Sequence, residues 1–180
     1  MNSSSVFKTG EPGNSEWRII FERIPSNLQE LKELSISDLS TPFYTAALTV
    51  VSLYIYPENR DESIAMLNFL KGPQPLSNYE IQFFSDRFKG KNYLPASFFA
   101  GATPENGYKP KLPLEIVVIE NPYSNTQLDE GYVQLFVRSS GADSPRPIKL
   151  RLKASTNQWF LWEQMLLSDI RQPASEDPWV

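Results

Sequence analysis

A chain of 180 residues is long enough to bury a full-sized core in one domain, and its 41% hydrophobic composition is that of a globular protein. The formal net charge of −4 opposes long-range attraction to nucleic acid or to an anionic membrane. The sequence has no cysteine and no histidine, which excludes disulfides, thiolate chemistry, the usual general base and the commonest transition-metal ligand. We therefore expect no cofactor, no metal site and no catalytic residues, and the sequence favours a protein that is not an enzyme.

The N-terminus carries no pattern of a targeting segment. Residues 1–15 lack the basic start and the apolar run of about 7–15 residues that form a signal peptide. The longest apolar stretch, residues 46–55, is far shorter than the ~20 residues that cross a bilayer. We predict a soluble, cytoplasmic protein without a membrane partner.

Residues 1–15 are rich in serine, glycine and asparagine, which predicts a flexible N-terminal arm. Residues 16–180 are predicted to form a single α+β domain. Apolar and polar side chains alternate in residues 17–24, a pattern typical of a short strand that can also open a helix.

The first half of the chain contains repeated helix-start signals. Thr41 before Pro42 predicts a helix that runs to about Tyr54, and its apolar side chains on nearly every side predict the central buried helix. Gly72 and Pro73 predict the end of the next helix. Three further starts carry the spacing of a capping box: Ser26 with Gln29, Asn59 with Glu62, and Ser77 with Glu80.

The segment 91–113 has no period but contains several aromatic residues and four prolines. It predicts a long, packed connection. Connections of this length inside a domain are often functional, although one rich in aromatic residues can also clamp two halves together.

Period-two alternation then predicts four strands at residues 114–120, 132–139, 148–154 and 159–163. Short connections between the later strands favour antiparallel hairpins. The predicted fold class is therefore α+β, with N-terminal helices packed on a C-terminal antiparallel sheet of about four strands. This order of elements resembles the cystatin-like or nuclear-transport-factor-like cone.

Four segments carry a resemblance to a family: TPFYTAAL at residues 41–48, LKGP at 70–73, FAGATP at 99–104 and SGADSPRPIKLR at 140–151. They resemble an uncharacterised family of small bacterial proteins, chiefly from firmicutes. The resemblance implies a bacterial, intracellular domain, and it implies no activity.

The loop 139–147 is the first candidate site, because it gathers hydroxyl groups, a carboxylate and a guanidinium between two strands. Its candidate residues are Ser140, Asp143, Ser144 and Arg146. In the alternative interpretation these residues only form a turn, in which Arg146 pairs with Asp143 to fix the hairpin.

The second candidate is a basic stripe on the sheet, formed by Lys149, Arg151 and Lys153 with Arg138 on the neighbouring strand. Such a stripe is able to bind a phosphate, a nucleic-acid backbone or an acidic partner. A solvated sheet face that discourages edge-to-edge aggregation is the alternative. Trp162 joins the candidates, because Trp159, Phe160 and Trp162 place aromatic surface on both faces of one strand, one for the core and one for an interface.

These observations favour a non-enzymatic protein-binding or adaptor domain. The alternative is a small-molecule-binding protein or hydrolase with an Asp/Ser/Arg pocket between helices and sheet, which needs a cavity and a carboxylate in an apolar setting. Weak nucleic-acid binding through the basic stripe is a third and less favoured hypothesis. The sequence does not specify the ligand, the partner or the oligomeric state.

Overall fold

Six antiparallel strands form one sheet in which every strand lies beside its neighbours in the sequence, from β1 to β6. The computed structural model describes residues 4–180. The strands are β1 Ser4–Glu11, β2 Asn14–Phe21, β3 Leu114–Ile119, β4 Tyr132–Val137, β5 Arg146–Lys153 and β6 Gln158–Gln164. The helices, all inserted between β2 and β3, are α1 Leu28–Glu33, α2 Pro42–Tyr54, α3 Arg60–Lys71 and α4 Asn78–Phe88.

The N-terminal arm and the strand count are the two corrections to the predicted fold. Residues 4–11 form β1, which pairs along its whole length with β2, whereas residues 1–3 lie outside the described part of the chain. The prediction was wrong because β1 is an edge strand with one partly buried apolar side chain, Val6, so that its sequence lacks an apolar alternation. The sheet therefore has six strands within residues 4–180: the four predicted in the second half of the chain, β2, which overlaps the short strand predicted at residues 17–24, and β1.

Helix α2 is the predicted central helix. The Thr41 hydroxyl accepts a hydrogen bond from the Tyr44 N–H at 3.2 Å, and Pro42 occupies the first helical position. Ten of the eleven residues from Phe43 to Leu53 are buried, all except Tyr44, because the helix packs against the sheet on one side and against α3 on the other.

The other helix starts agree with the capping signals, with one shift. Asn59 caps α3, and Ser77 forms a complete capping box with Glu80 at the start of α4. The cap of α1 is Asn27 and not the predicted Ser26, because the Asn27 side chain accepts from the Glu30 N–H. The pattern had placed this box one residue too early.

The segment 91–113 is the packed connection that its aromatic residues predicted. Strands β3 and β4 pair at only two positions, and this segment fills the gap where they separate. Phe99 bridges to Ile116, and the Ala100 N–H donates to the Glu115 carbonyl at 2.8 Å. The connection thereby pairs with the part of β3 from which β4 has separated.

The edge formed by β6 is covered by the helical half of the chain. The Trp159 N–H donates to the Leu39 carbonyl at 2.8 Å, and the Thr45 hydroxyl donates to the Trp159 carbonyl at 2.6 Å. Further along, the Lys71 ammonium donates to the Trp162 carbonyl at 3.1 Å. These bonds fix the ends of α2 and α3 beside β6 and so position the candidate site described below.

Candidate functional site

The polar groups of the loop 139–147 are engaged by the protein's own chain. The Ser139 hydroxyl donates to the Ser97 hydroxyl at 2.8 Å and accepts from the Gly141 N–H at 3.2 Å. The Ser140 hydroxyl donates to the Ala102 carbonyl. These bonds tie the loop to the connection 91–113, which supports the structural interpretation of the loop.

The carboxylate of this loop binds a partner that the sequence did not indicate. Asp143 pairs with Arg171 at 2.7 Å, so the predicted pair with Arg146 is wrong. Arg146 instead lies 3.7 Å from Asp169. Both partners belong to the C-terminal segment, whose position depends on the tertiary fold, and Ser144 is exposed at the tip of the turn.

Gly141 and Tyr108 hold the C-terminal segment against this loop. The Tyr108 hydroxyl donates to the Arg171 carbonyl at 2.6 Å, and the Arg171 N–H donates to the Gly141 carbonyl at 2.7 Å. A β-carbon at Gly141 would lie 2.2 Å from the Tyr108 hydroxyl, which explains why a glycine stands there. Burial raises the pKa of Tyr108 to about 12, which keeps its hydroxyl protonated as a donor.

Arg138 does not belong to the basic stripe. It follows the end of β4 that lies farthest from Tyr132, and its guanidinium pairs with the Glu16 carboxylate at 2.5 Å. Arg138 lies an even number of residues from the outward-facing positions of β4, so its predicted face is correct. The prediction failed because Arg138 follows the last pair of β4 and β5, Val137 with Arg146, whereas Arg151 pairs with Tyr132 at the opposite end.

The remaining basic residues form a cationic–aromatic patch, which we define as Tyr132, Lys149, Arg151 and Trp162. The rings of Tyr132 and Trp162 meet edge to face with centroids 5.5 Å apart. The Arg151 guanidinium lies 4.7 Å from the Trp162 centroid and 5.3 Å from that of Tyr132, and the Lys149 ammonium lies 4.9 Å from the Tyr132 ring. The patch thus holds two cations against two aromatic rings.

Strand register creates the patch. Tyr132 pairs with Arg151 across β4 and β5, and both side chains lie on the face opposite the core. On β6, Trp159 is buried in the core, whereas Trp162 has the opposite parity and is half-buried on the outer face. The sequence predicted this division of the aromatic residues between two faces.

A cavity of about 290 Å³ borders the patch. Its walls are the outer face of β5 and β6, with Arg151, Lys153 and Trp162, and the connection between α3 and α4. The connection meets the sheet at Gly72, where a β-carbon would lie 2.4 Å from the Phe160 ring. Three of the predicted site residues therefore line one cavity.

A second cavity of about 220 Å³ continues along β6 and shares Lys71 and Trp162 with the first. Apolar side chains of α4 and its approach, Leu76, Tyr79 and Phe83, form its far wall. We call the two cavities together the β6 groove. Arg151 and Lys153 line one end of the groove, and aromatic side chains line the other end together with the carboxylates of Glu80 and Glu163.

The ion pair between Lys71 and Glu80 lies between the two ends of the β6 groove. Lys71 is 8% exposed and its ammonium lies 3.0 Å from the Glu80 carboxylate. Burial raises the pKa of Glu80, but the hydrogen bonds that it accepts from the Ser77 N–H and from Lys71 outweigh burial and lower the pKa below its ordinary value. The pair is a fixed part of the groove, with its charges already satisfied.

Lys149, Arg151 and Lys153 differ from Arg18 and Arg138, two other cations at the outer face of the sheet. Arg18 pairs with Glu115, as Arg138 does with Glu16. Within residues 4–180, Arg146 is the one β5 cation with an ion pair, and none of Lys149, Arg151 and Lys153 lies within ion-pair distance of a carboxylate. Their charges are therefore available to an external carboxylate or phosphate.

The sequence reasoning missed Lys71 and Tyr132. No sequence pattern distinguishes Lys71, and its burial follows from the position of α3 beside β6. Tyr132 carried a usable signal, because it has the outward parity of a predicted strand. Its place beside Arg151, however, depends on the register between β4 and β5.

In residues 4–180, no group of three or more potential ligands among histidine, cysteine, aspartate and glutamate is placed to hold a metal ion. None of the helices in this part of the chain has the length and apolar character needed to cross a bilayer.

Comparison with known proteins gives a family but no activity. No curated protein and no solved structure matches the chain. One family model matches residues 23–174, which include all four helices and strands β3 to β6 and leave out the N-terminal hairpin. This match covers most of the sequence, and the chain therefore belongs to the family described as a domain of unknown function, DUF6935.

Proposed function

We propose that this protein is a non-enzymatic binding or adaptor domain that uses the cationic–aromatic patch to bind an acidic segment of a partner protein. The observation that carries the proposal is that, in the part of the chain that the structure describes, Lys149, Arg151 and Lys153 have no carboxylate partner, and two of them are held against aromatic rings. By contrast, Arg18 and Arg138 on the same sheet are neutralised by Glu115 and Glu16.

The rings prepare the cations for binding. Contact with Tyr132 and Trp162 restricts the Arg151 side chain, so less conformational entropy is lost when a carboxylate binds. The guanidinium keeps its donors free while its flat face rests on the rings, an arrangement that suits a bidentate bond to a carboxylate. Aromatic residues and arginine are also the residues that contribute most at protein interfaces.

The proposal is tested with a fluorescein-labelled decaglutamate peptide, whose binding is measured by fluorescence anisotropy. The test variant combines Lys149→Gln, Arg151→Gln and Lys153→Gln. Three exposed ionic contacts of about 0.5 kcal/mol each amount to about 1.5 kcal/mol, so the variant is expected to bind at least about tenfold more weakly. Binding by the wild-type protein is expected to weaken as salt is added.

The matched control combines Lys89→Gln, Lys109→Gln and Lys111→Gln, three exposed lysines away from the patch. It removes the same charge, so equal weakening in both variants would show a general electrostatic effect and would contradict the proposal. Tighter binding of a single-stranded DNA oligonucleotide than of the peptide would instead support the nucleic-acid hypothesis.

The alternative of a small-molecule binder or hydrolase receives less support. Its Asp/Ser/Arg pocket was expected near Asp143 and Arg146, which pair with Arg171 and Asp169 of the same chain. A cavity of about 300 Å³ does border Ser140 and Arg138, but no carboxylate lines it. A site for acid–base chemistry would need one there.

The remaining expectations belong to the same proposal. We place the protein in the bacterial cytoplasm and treat residues 16–180 with the N-terminal hairpin as one domain, which the single hydrophobic core cluster supports. The cystatin-like or nuclear-transport-factor-like cone is proposed as the fold type, and the long central helix against an antiparallel sheet supports it.

A further inference from the structure

The C-terminal segment of the chain carries an exposed aromatic residue beside carboxylates. Trp179 is 92% exposed and Val180 is 86% exposed. Glu176 and Asp177 precede them, and neither lies within ion-pair distance of a described cation. We call residues 176–180 the acidic–tryptophan tail. A tryptophan exposed to this extent contributes apolar area that its own domain does not bury.

The β6 groove has the complementary chemistry. Its first cavity is lined by Arg151 and Lys153, and its second by Leu76, Tyr79 and Phe83. The strand residues that line it run from Phe160 to Gln164, four steps of about 3.3 Å or ~13 Å in all. The second cavity also has two carboxylates in its wall, Glu80, which pairs with Lys71, and Glu163. The charge opposite to that of the tail therefore lies at the end of the groove formed by Arg151 and Lys153, whereas the other end offers aromatic surface to the indole ring.

The spacing of the tail fits the length of the groove. In the structure the tail forms a turn, in which the Trp179 N–H donates to the Asp177 carboxylate at 2.9 Å. When the tail extends on binding, Glu176 and Trp179, three residues apart, span at most about 10 Å. A carboxylate at Arg151 therefore allows the indole ring to reach the aromatic cavity. The tail is not seated in the groove of its own chain, because Trp179 is almost fully exposed.

We propose that the β6 groove binds the acidic–tryptophan tail of a second copy of this chain, an inference that rests on the proposed function and names the partner. The carboxylates of the tail pair with Arg151 and Lys153, and Trp179 packs against Tyr79 and Phe83. Two copies that exchange tails reciprocally satisfy both grooves and close a dimer.

Sedimentation velocity of the full chain over a range of concentrations tests the inference. The first variant is Trp179→Ser. Because the Trp179 side chain is exposed, its loss leaves the core intact, and circular dichroism verifies that the variant is folded. The matched control is Tyr123→Ser, which removes another aromatic residue that is 77% exposed and lies away from the groove. We expect concentration-dependent dimers for the wild type and the control, and monomers for Trp179→Ser.

A complementation experiment identifies the two contacting surfaces. The combined variant Lys149→Gln, Arg151→Gln and Lys153→Gln keeps its tail, whereas Trp179→Ser keeps its groove. Each variant alone is expected to be monomeric, and a mixture of the two is expected to form heterodimers through the one intact tail and the one intact groove. Absence of heterodimers from the mixture would overturn the inference.

The outcomes separate this inference from the proposed function. If the decaglutamate peptide binds the patch but the wild type is monomeric at all concentrations, the second copy is not the partner and the binding function stands. If Trp179→Ser binds the peptide more tightly than the wild type does at every concentration, the tail occupies its own groove and the inference is wrong. If neither peptide nor tail binds, both proposals fail.

Discussion

Gly72 is the point at which the connection between α3 and α4 meets the outer face of the sheet, and the substitution Gly72→Ala tests that packing. The residue has a φ of +66°, where side chains are strained, and a β-carbon would lie 2.4, 2.6 and 2.7 Å from three carbons of the Phe160 ring. The ring is held between this connection and the sheet, so it is not free to move away without loss of packing.

Two costs add up in this variant. The backbone strain of a non-glycine residue in this region costs about 1–3 kcal/mol. Overpacking against the Phe160 ring costs a further ~1–3 kcal/mol. Gly90→Ala is the matched control, because Gly90 also follows a helix with a positive φ, +70°, but has no atom within 4 Å of the added carbon. It is expected to lose only the strain cost, about 1–2 kcal/mol.

Equilibrium unfolding in urea, followed by circular dichroism, measures both variants. We expect Gly72→Ala to lose about 2 kcal/mol more free energy of unfolding than Gly90→Ala. Equal losses, within about 0.5 kcal/mol, would refute the assigned packing of Gly72 on Phe160. The double variant Gly72→Ala with Phe160→Ala is expected to recover part of the steric cost but none of the backbone strain.

Three further predictions concern buried polar groups. Lys71→Met is expected to lower the free energy of unfolding by about 2 kcal/mol in urea, because the Trp162 carbonyl and the Glu80 carboxylate each lose a charged donor; an unchanged midpoint would contradict this. The pKa of Glu80 is lowered by folding, so its contribution to stability is present above its ordinary pKa of 4.5 and is lost as the pH falls through the lower folded value. Thermal unfolding from about pH 6 to about pH 3 should therefore show a smaller loss of stability for Glu80→Gln than for the wild type, and parallel curves would exclude this role. The pKa of Tyr108 is raised to about 12, so its contribution is present below its ordinary value of 10.0 and is lost as the pH rises to about 12. Tyr108→Phe is expected to be less stable near neutral pH by about 1 kcal/mol, a deficit that shrinks in alkaline urea titrations, and a deficit that stays constant to about pH 12 would argue against it.

The helices of this protein could be predicted because their signals are local. The cap at Thr41, the capping box at Ser77 and the stop at Gly72 each involve bonds within a few residues of the chain. The burial of α2 could also be predicted, since a helix that is apolar on nearly all sides has to be surrounded by other parts of the protein. Such features are determined by residues that are close together in the sequence and do not depend on the rest of the fold.

Strand β1 could not be predicted in this way, whereas β2 overlaps the short strand predicted at residues 17–24. Strand β1 has few apolar side chains, and its extended conformation depends on pairing with β2. Strand β2 in turn pairs with β3, about a hundred residues further along the chain. A polar edge strand needs only a partner with free N–H and C=O groups, and side-chain patterns do not report that partner.

In the candidate site, too, some features follow from local sequence patterns and others from tertiary contacts. Alternation along β5 by itself determined that Lys149, Arg151 and Lys153 share an outward face, because side chains of a strand point to opposite faces in turn. Only the tertiary structure decided that Arg151 lies between Tyr132 and Trp162, that Asp143 pairs with Arg171, and that Arg138 is neutralised by Glu16. Contacts of this kind join residues that are distant in the sequence, and they depend on strand register and on the placement of the helices at the edge of β6, both of which the packing of the whole core fixes.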